Sequence, residues 1–430
     1  MKPNRHRHIV AALLFGVSAI NYLDRAALGV VAPLISKDLR LSSLELGVVF
    51  STFFVGYAAF AFVGGHLADK FGPRRTYSYT AVAWSFFCAL TGFVTGFWQL
   101  LGVRILFGCA EGPMCSTSNR MITNWFPRRE TGTAIGFTFS GQMLGSAIAA
   151  PVVGLLSVRF GWRLAFVVIG SFGVIWAVIW RRLVTDFPHK SCRLDKEEIE
   201  PITLSHLSTS SPKDLRPLPL RAYLLRGSTL ALALGMFAVT YTVYILISWL
   251  PSYLTTALHM RVERMSYIAA IPWVSGFAGY VMGGIVADVV YRKIPDGLTA
   301  RKITTIAPLT LAAIALFALN LSSETTTAVI LLALIMMLMT ASVQSCWATL
   351  HELVPESRMG GVGGFVHLIS NVSGIIGPAL TGFVVQHFGG YGGAFAIAGT
   401  IAAVGAIAMV LFIKHTDKIE ARTDSRRASI

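Results

Sequence analysis

The stretch Ile9-Val-Ala-Ala-Leu-Leu-Phe-Gly-Val-Ser-Ala-Ile-Asn21-Tyr-Leu-Asp24-Arg25-Ala-Ala-Leu-Gly-Val-Val31 carries two charges inside an apolar segment. A transmembrane helix needs about 20 predominantly apolar residues, and a charge at its centre costs about 3 kcal/mol on insertion scales. We therefore expect Asp24 and Arg25 to face protein or a water-filled cavity instead of lipid.

The composition is typical of a polytopic membrane protein. Of the 430 residues, 54% are hydrophobic and 13% are charged, and the mean hydropathy is +0.64. Soluble domains carry about 25% charged residues. The five cysteines have no metal-binding or redox spacing, so we predict no disulfide, metal or cofactor. The N-terminus resembles a signal peptide, but its apolar run is long and charged, which indicates an uncleaved first helix.

Twelve apolar segments have the length of a membrane span, with six on each side of the polar stretch 181–226. This pattern predicts an all-α membrane protein with twelve transmembrane helices in two pseudo-symmetric six-helix bundles. The bundles are predicted at 1–184 and 227–413, joined by a cytoplasmic loop at 185–226 with one short surface helix and followed by a tail at 414–430. The predicted spans are 9–31, 46–68, 76–95, 98–119, 132–157, 163–184, 227–257, 266–290, 303–321, 326–350, 360–386 and 392–413.

The distribution of Lys and Arg predicts the orientation in the membrane. When loops are numbered alternately from the N-terminus, 28 of the 36 Lys and Arg residues fall on one side and 6 on the other. Arg25 and Arg104 lie within spans. The positive-inside rule then places both termini and the central loop in the cytoplasm. The net charge of +15 is therefore explained by topology and attraction to anionic lipid, and it does not indicate nucleic acid binding.

Short motifs repeat weakly between the two halves. Gly65-His-Leu-Ala-Asp69 follows the second span, and Gly284-Ile-Val-Ala-Asp288 follows the eighth. Trp125-Phe-Pro127 precedes the fifth span, and Leu353-Val-Pro355 precedes the eleventh. Duplicated halves of six spans are typical of alternating-access transporters.

The most specific motif is Gly65-His-Leu-Ala-Asp69-Lys-Phe-Gly72-Pro-Arg74-Arg75. Glycine permits a tight turn, and a carboxylate such as Asp69 can bind a helix N-terminus or an arginine. The motif resembles the signature loop of the major facilitator superfamily, whereas its copy around Asp288 is degenerate. We predict a conformational latch that forms in one state and breaks in the other, made of Gly65, Asp69, Gly72, Arg74 and Arg75.

Four further strings resemble the anion:cation symporter family within that superfamily. They are Asn21–Arg25, Arg104–Pro113, Trp125–Pro127 with Glu130 and Gly132, and Trp249–Tyr253. That family includes bacterial transporters of galactonate, glucarate and hexuronates. The resemblance implies proton-coupled import of a small organic anion, a sugar acid or related carboxylate, across the bacterial inner membrane. It also implies that Asp24 and Glu111 couple protons and that Arg25 binds the substrate carboxylate.

Four charges form the predicted centre of the site. Arg104 and Glu111 are seven residues apart, so they share a helix face about 10 Å apart along the axis. Asp24 and Arg25 point about 100° apart, so they face different neighbours. When both carboxylates are protonated, the two arginines remain positive, and the site then favours an anion. This reciprocal coupling is what proton–anion symport requires. The alternative is that the charges only hold the first and fourth spans together.

Uncharged residues complete the predicted substrate site. Tyr57, Gln142 and Asn371 match substrate contacts of the family, and hydroxyl-rich ligands need amide and phenol partners. The predicted substrate site also includes the charged residue Arg104. Tyr244 and Trp347 are candidates for packing on the ligand. The alternative for Gln142 and Asn371 is hydrogen bonding between helices alone.

The leading functional hypothesis is a monomeric secondary transporter that binds a small organic anion and protons and works by rocker-switch alternating access. Proton-independent uniport or exchange is the nearest alternative, and a transporter-like receptor is a more remote one. The sequence contains no H-E-x-x-H motif, Walker loop or convincing serine elbow, which argues against a membrane enzyme or an ATP-driven pump.

Overall fold

The computed structural model describes residues 5–126, 128–188, 219–321, 324–354 and 356–414. Within these ranges the chain is almost entirely helical. A 3₁₀ turn lies at Thr91–Phe93 and a π-helical turn at Tyr253–Ala257. The α-helices are α1 Arg5–Leu39, α2 Ser43–Phe71, α3 Pro73–Leu90, α4 Phe97–Glu111, α5 Met114–Trp125, α6 Arg128–Phe160, α7 Trp162–Leu183, α8 Leu220–Leu224, α9 Gly227–Ser252, α10 Val262–Ile268, α11 Ala270–Lys293, α12 Gly297–Leu321, α13 Thr325–Leu353, α14 Glu356–Phe388 and α15 Gly392–Phe412.

Each predicted span coincides with one of these helices or with a consecutive pair. Ten helical segments of the described chain are long and apolar enough to cross a membrane by length and composition. Two predicted spans fall short. One is α3, which carries Arg74 and Arg75 in its first turn, and the other is the pair α4–α5, which is interrupted after Glu111. The all-α membrane architecture is confirmed, whereas the count of twelve spans stays a prediction.

The chain divides into two compact units. Unit 1 comprises Met1–Ser211 and Met260–Ala270, and unit 2 comprises Pro212–His259 and Ile271–Ile430. In unit 1, α1 packs against α6, α2 against α4 and α3 against α7. In unit 2, α9 packs against α14, and α12 packs against both α13 and α15. Pairing of the first span with the fifth and of the third with the sixth thus recurs in unit 2, in agreement with the repeat of the sequence motifs.

The fourth span is interrupted beside its own carboxylate. Helix α4 ends at Glu111, Gly112 and Pro113 form the turn, and α5 continues to Trp125. Proline lacks the N–H that an uninterrupted helix would need at this point. The span therefore extends beyond the predicted end at residue 119, and Arg120 lies on a helix instead of in a loop.

The predicted latch loop is a single residue between α2 and α3. Gly72 has φ of +84°, which favours glycine, and it is followed by Pro73 at the first position of α3. The Arg74 backbone N–H donates to Asp186 Oδ1 at 2.8 Å, and the Arg74 guanidinium donates to the Arg181 carbonyl. Arg75 is exposed, while the side-chain position of Asp69 and the surroundings of Gly65 are outside the described part. Opening and closing of this latch stays a prediction.

Part of the central loop and most of the tail lie outside the described residues, at 189–218 and 415–430. Within the described end of the loop, the short helix α8 packs against α14. The second-half counterpart of the latch carries an ion pair of Asp288 Oδ1 with Arg301 Nη1 at 3.6 Å.

Candidate functional site

Arg25 and Glu111 form a buried ion pair in unit 1. Glu111 Oε2 accepts from Arg25 Nη2 at 2.9 Å and from Arg25 Nε at 3.2 Å. The side chains are 3% and 0% exposed, so water does not screen the pair. Two parallel N–H donors on one carboxylate oxygen make a directional, charge-assisted contact. The pair joins α1 to α4 across 86 residues of sequence.

Aromatic rings surround the Arg25 guanidinium. Its Cζ lies 4.6 Å from the ring centre of Tyr22, 4.8 Å from that of Phe53 and 4.8 Å from that of Tyr57. Ring faces attract a cation at this distance. Tyr57, predicted from the sequence, is therefore beside Arg25, with its side chain buried.

Arg104 lies within the same aromatic group. Its Cζ is 5.0 Å from the ring centre of Phe53 and 4.9 Å from that of Phe107, and the residue is 3% exposed. Phe53 thus contacts both buried arginines. The close approach of α2 to α4 depends on Gly108, where a Cβ would collide with the Phe53 backbone. A helix with a larger residue there would hold the Phe53 ring farther from the guanidinium groups.

Asp24 lies apart from the Arg25–Glu111 pair. It is fully buried, and neither carboxylate oxygen has a hydrogen bond of normal geometry from the described residues. The thiol of Cys88 on α3 is beside it, and Glu111 is near enough for electrostatic interaction. Adjacent residues on α1 therefore have different surroundings, as their angular separation indicates.

Several other polar atoms of this cluster also lack a hydrogen bond of normal geometry within the described residues: both amide atoms of Asn21, Glu111 Oε1 and Arg104 Nε. Buried polar groups in proteins are almost always hydrogen-bonded, so such a concentration calls for an explanation. A proton on a carboxylate, internal water or a polar ligand would each satisfy some of these atoms. The cluster therefore gathers two arginines, two carboxylates and several polar atoms without a hydrogen bond of normal geometry in one buried region of the described chain.

Gln142 lies on α6, which packs closely against α1. The helix presents Gly141 and Gly145 to the α1 backbone, and Gln142 itself is partly buried. Among the hydrogen bonds of the described chain, none joins the Gln142 side chain to Arg25 or Glu111. Its assignment to the substrate therefore stays a prediction.

Unit 2 brings two of its predicted residues together. Tyr244 Oη donates to Asn371 Oδ1 at 3.0 Å, and Asn371 Nδ2 donates to the His367 carbonyl at 2.8 Å. Tyr244 on α9 thereby fixes the orientation of the Asn371 amide on α14. Trp347 is partly buried on α13 and lies near Gly363. No described bond joins Trp347 to the Tyr244–Asn371 pair.

Sequence reasoning found Tyr57 but missed the other aromatic partners of the arginines, and it missed the neighbour of Asp24. Tyr22 precedes Arg25 by three residues, and Phe53 precedes Tyr57 by four, which are the spacings of neighbours on one helix face. These spacings could have identified both residues. Phe107 follows Arg104 by three residues on α4, so the same spacing could have identified it as well. Cys88 carries no comparable signal, because its place beside Asp24 depends on how α1 and α3 are rotated against each other.

The helical architecture and buried charges define a membrane transporter. A family model for the Major Facilitator Superfamily matches residues 14–351 and 296–429, and the chain belongs to that superfamily. It is a transporter and not an enzyme.

Among known proteins, the chain is 39% identical over 407 residues to the hexuronate transporter of Bacillus subtilis, covering 94% of both chains. It is 29% identical over 435 residues to the probable galactarate/D-glucarate transporter GudP of Escherichia coli, covering 97% of this chain and 96% of that one. The inward-open xylose transporter XylE from E. coli has a similar fold, with a TM-score of 0.76 at 14% identity, over 95% of this chain and 96% of the other.

Proposed function

We propose that this protein imports a sugar acid together with protons by alternating access. The names of its relatives support the substrate class, since they are transporters of hexuronates and of galactarate or glucarate. A hexuronate is the first candidate because the relative at 39% identity carries that name. The proposed setting is the bacterial inner membrane, with both termini cytoplasmic and the protein acting as a monomer.

The observation that carries the proposal is the buried Arg25–Glu111 pair. Glu111 occupies the N–H donors with which Arg25 would bind a substrate carboxylate. Protonation of Glu111 removes the negative charge that competes with the anion for Arg25. In turn, an anion on Arg25 leaves Glu111 without its cation and favours the protonated form. The two ligands therefore assist each other's binding.

Asp24 provides a second proton site in this proposal. Its carboxylate is buried without a hydrogen bond of normal geometry from the described residues, and Glu111 adds a nearby negative charge. Arg104 keeps the site positive after both carboxylates are protonated.

The remaining residues would select the substrate by its hydroxyl groups. Tyr57 and Gln142 in unit 1 and Asn371 in unit 2 supply a phenol and two amides, which can donate and accept hydrogen bonds. Tyr244 would orient Asn371 through the bond at 3.0 Å, and Trp347 would pack on the sugar ring. Arg25 would bind the carboxylate.

Uptake into proteoliposomes tests the proposal. Radiolabelled glucuronate, galacturonate, galactonate and glucarate are offered with and without an inward proton gradient, and empty liposomes serve as the control. We expect accumulation of one anion above its external concentration, abolished by a protonophore. Equilibration that the protonophore leaves unchanged would instead indicate uniport or exchange, and binding without counterflow would indicate a receptor.

A further inference from the structure

Asn21 is a buried polar residue of α1 to which the proposed function gives no role. It is 0% exposed, and it lies three residues before Asp24 and four before Arg25. At 100° per residue, its side chain leaves the helix at an angle between those of Asp24 and Arg25. Asn21 therefore lies one turn earlier on the face of α1 that carries both charges.

The Asn21 amide adjoins the Glu111 carboxylate of α4. Glu111 Oε2 accepts from Arg25, whereas Glu111 Oε1 has no hydrogen bond of normal geometry within the described residues. The Asn21 side chain is beside Glu111, within reach of a side-chain hydrogen bond. Both of its amide atoms also lack a bond of normal geometry in the described chain. A carboxylate oxygen and an amide thus meet where both residues are 0% exposed.

An amide suits this position because it can serve either form of a carboxyl group. Its NH₂ group donates to an ionised carboxylate, and its carbonyl accepts from the O–H of a protonated acid. Arginine can only donate, so Arg25 cannot accept the proton that Glu111 acquires. A buried O–H without an acceptor is costly, and the Asn21 carbonyl would supply one.

We propose that Asn21 is a positioning residue for Glu111, and that its amide holds the Glu111 carboxyl in both protonation states. This inference rests on the proposed function, in which Glu111 exchanges a proton. In the ionised state, Asn21 Nδ2 donates to Glu111 Oε1 while Arg25 donates to Oε2. When Glu111 takes up a proton, the amide turns over and Asn21 Oδ1 accepts from the new O–H. The carboxyl group then keeps its place as its charge is lost.

Other titratable or charged groups also act on Glu111, and the test has to separate Asn21 from them. Asn21 does not titrate, so a change of pH dependence in its variants must pass through one of these groups. Cys115 on α5 is near Arg25. The groups of the described chain that act on Glu111 are Tyr22, Asp24 and Arg25 on α1, Tyr57 on α2, Cys88 on α3 and Arg104 on α4.

Infrared difference spectroscopy of the purified protein reports on the Glu111 carboxyl. Lowering the pH produces the C=O band of protonated carboxylic acids, and the part that Glu111→Gln abolishes belongs to Glu111. Asn21→Leu keeps the branched shape of the side chain without a hydrogen-bonding group, and it should move this band to higher frequency. Asn21→Ala should do the same without added bulk. Asn21→Gln, which keeps an amide, should leave the band closer to its original frequency.

Ser18→Ala is the matched control. Ser18 is also 0% exposed on α1, but its hydroxyl donates to the Leu14 carbonyl at 3.0 Å and it lies against Gly141 of α6. The Glu111 band should not move in this variant. An unmoved band in Asn21→Leu and Asn21→Ala would overturn the positioning role, as would an equal movement in Ser18→Ala. Absence of any band that depends on Glu111 would contradict both this role and proton exchange by Glu111.

The pH profile of glucuronate exchange gives a functional readout. Its half-maximal pH should rise by about one unit in Asn21→Leu, because the hydrogen bond lost from ionised Glu111 is charge-assisted and stronger than the one lost from the acid. A purely structural role would lower the unfolding temperature and leave this profile in place. In a Glu111→Gln background, Asn21→Leu should not shift the remaining profile. A shift that persists there would show action through another group and would contradict the proposal.

The two readouts separate this inference from the proposed function. Absence of glucuronate exchange by the unmodified protein would count against hexuronate transport. The frequency of the Glu111 band decides the contact with Asn21 in either case, since the spectrum does not require transport.

Discussion

The polar centres of the two units differ in charge. Unit 1 buries Asp24, Arg25, Arg104 and Glu111, and several of their polar atoms lack a hydrogen bond of normal geometry within the described chain. In the described part of unit 2 no Asp, Glu, Lys or Arg is buried. Its corresponding feature is the neutral Tyr244–Asn371 pair, whose groups bond to each other and to the His367 carbonyl.

This contrast suggests a division of labour. Protonation of a buried carboxylate strongly changes its interaction with neighbouring charges, because the surroundings screen those charges poorly. A satisfied neutral pair does not change with pH, and its value lies in a fixed orientation of donors and acceptors. We therefore assign the energetic coupling to unit 1, and we expect unit 2 to contribute selectivity. The duplicated halves have diverged in chemistry. The pairing of the first span with the fifth and of the third with the sixth nevertheless occurs in both halves.

The largest expected effect comes from removing the cation of the buried pair. Arg25→Ala should reduce uptake about 100-fold, since truncating one member of a buried charge pair costs 2–5 kcal/mol. It should also destabilise the protein, because Glu111 is left buried without its counterion. Uptake and thermal unfolding in detergent measure the two effects.

The double variant Arg25→Met with Glu111→Gln separates stability from function. It should unfold close to the temperature of the unmodified protein and still fail to transport. Substantial uptake by the double variant would show that neither residue is needed for transport and would contradict the assignment of coupling to unit 1.

The second effect is a loss of coupling without loss of binding. Glu111→Gln imitates the protonated carboxyl, so no carboxylate charge at position 111 competes with the anion for Arg25. Accumulation driven by a proton gradient should be strongly reduced while anion exchange persists, and exchange should depend less steeply on pH, since Asp24 is the proton site that remains. Glu111→Asp, which keeps a titratable group, is the matched control. Full uphill transport by Glu111→Gln would exclude Glu111 from proton coupling.

A third effect concerns the loop between α2 and α3, where the two units also differ. Gly72→Ala should destabilise unit 1 by about 2 kcal/mol, because φ is positive there and strained for other residues. The added Cβ would also lie 2.6 Å from Asp186 Oδ1. Thermal unfolding gives the stability. Gly96→Ala is the control, since that glycine has extended backbone and nothing within 4 Å of the added atom. Equal stability of both variants would count against the Asp186 contact.

Unit 2 gives the fourth prediction. Asn371→Ala should raise the KM for the sugar acid about tenfold, because it removes the amide and leaves the Tyr244 hydroxyl without its acceptor. The pH profile of uptake should keep its shape. Thr400→Ala, on the exposed side of α15, serves as the control. A changed pH profile in Asn371→Ala would break the division between the units.

The smallest effect is expected for an exposed ion pair of unit 1. Asp38 accepts from Trp162 Nε1 at 3.1 Å and pairs with Arg163, and the side chains of this ion pair are 43% and 45% exposed. Exposed pairs contribute about 0–1 kcal/mol. Arg163→Gln should therefore change uptake little and lower the unfolding temperature by at most a few degrees. An effect as large as that of Arg25→Ala would show that burial is not what distinguishes the pairs.

The sequence by itself determined the elements and the chemistry available to them. Long apolar segments predicted where helices would lie, because a chain in lipid must satisfy its backbone hydrogen bonds internally. The cost of charge in the membrane singled out Asp24, Arg25, Arg104 and Glu111 before any geometry was known. Repeated motifs predicted two related halves, and the recurring helix pairings agree with them.

Only the tertiary structure decided which of these residues meet. It joined Arg25 to Glu111 across 86 residues, placed Cys88 beside Asp24 and bonded Tyr244 to Asn371. It also extended the fourth span to Trp125. Helical periodicity is a local property of the chain, so it predicts faces. Partners depend on the rotation and close approach of separate helices, which the packing of many side chains sets together.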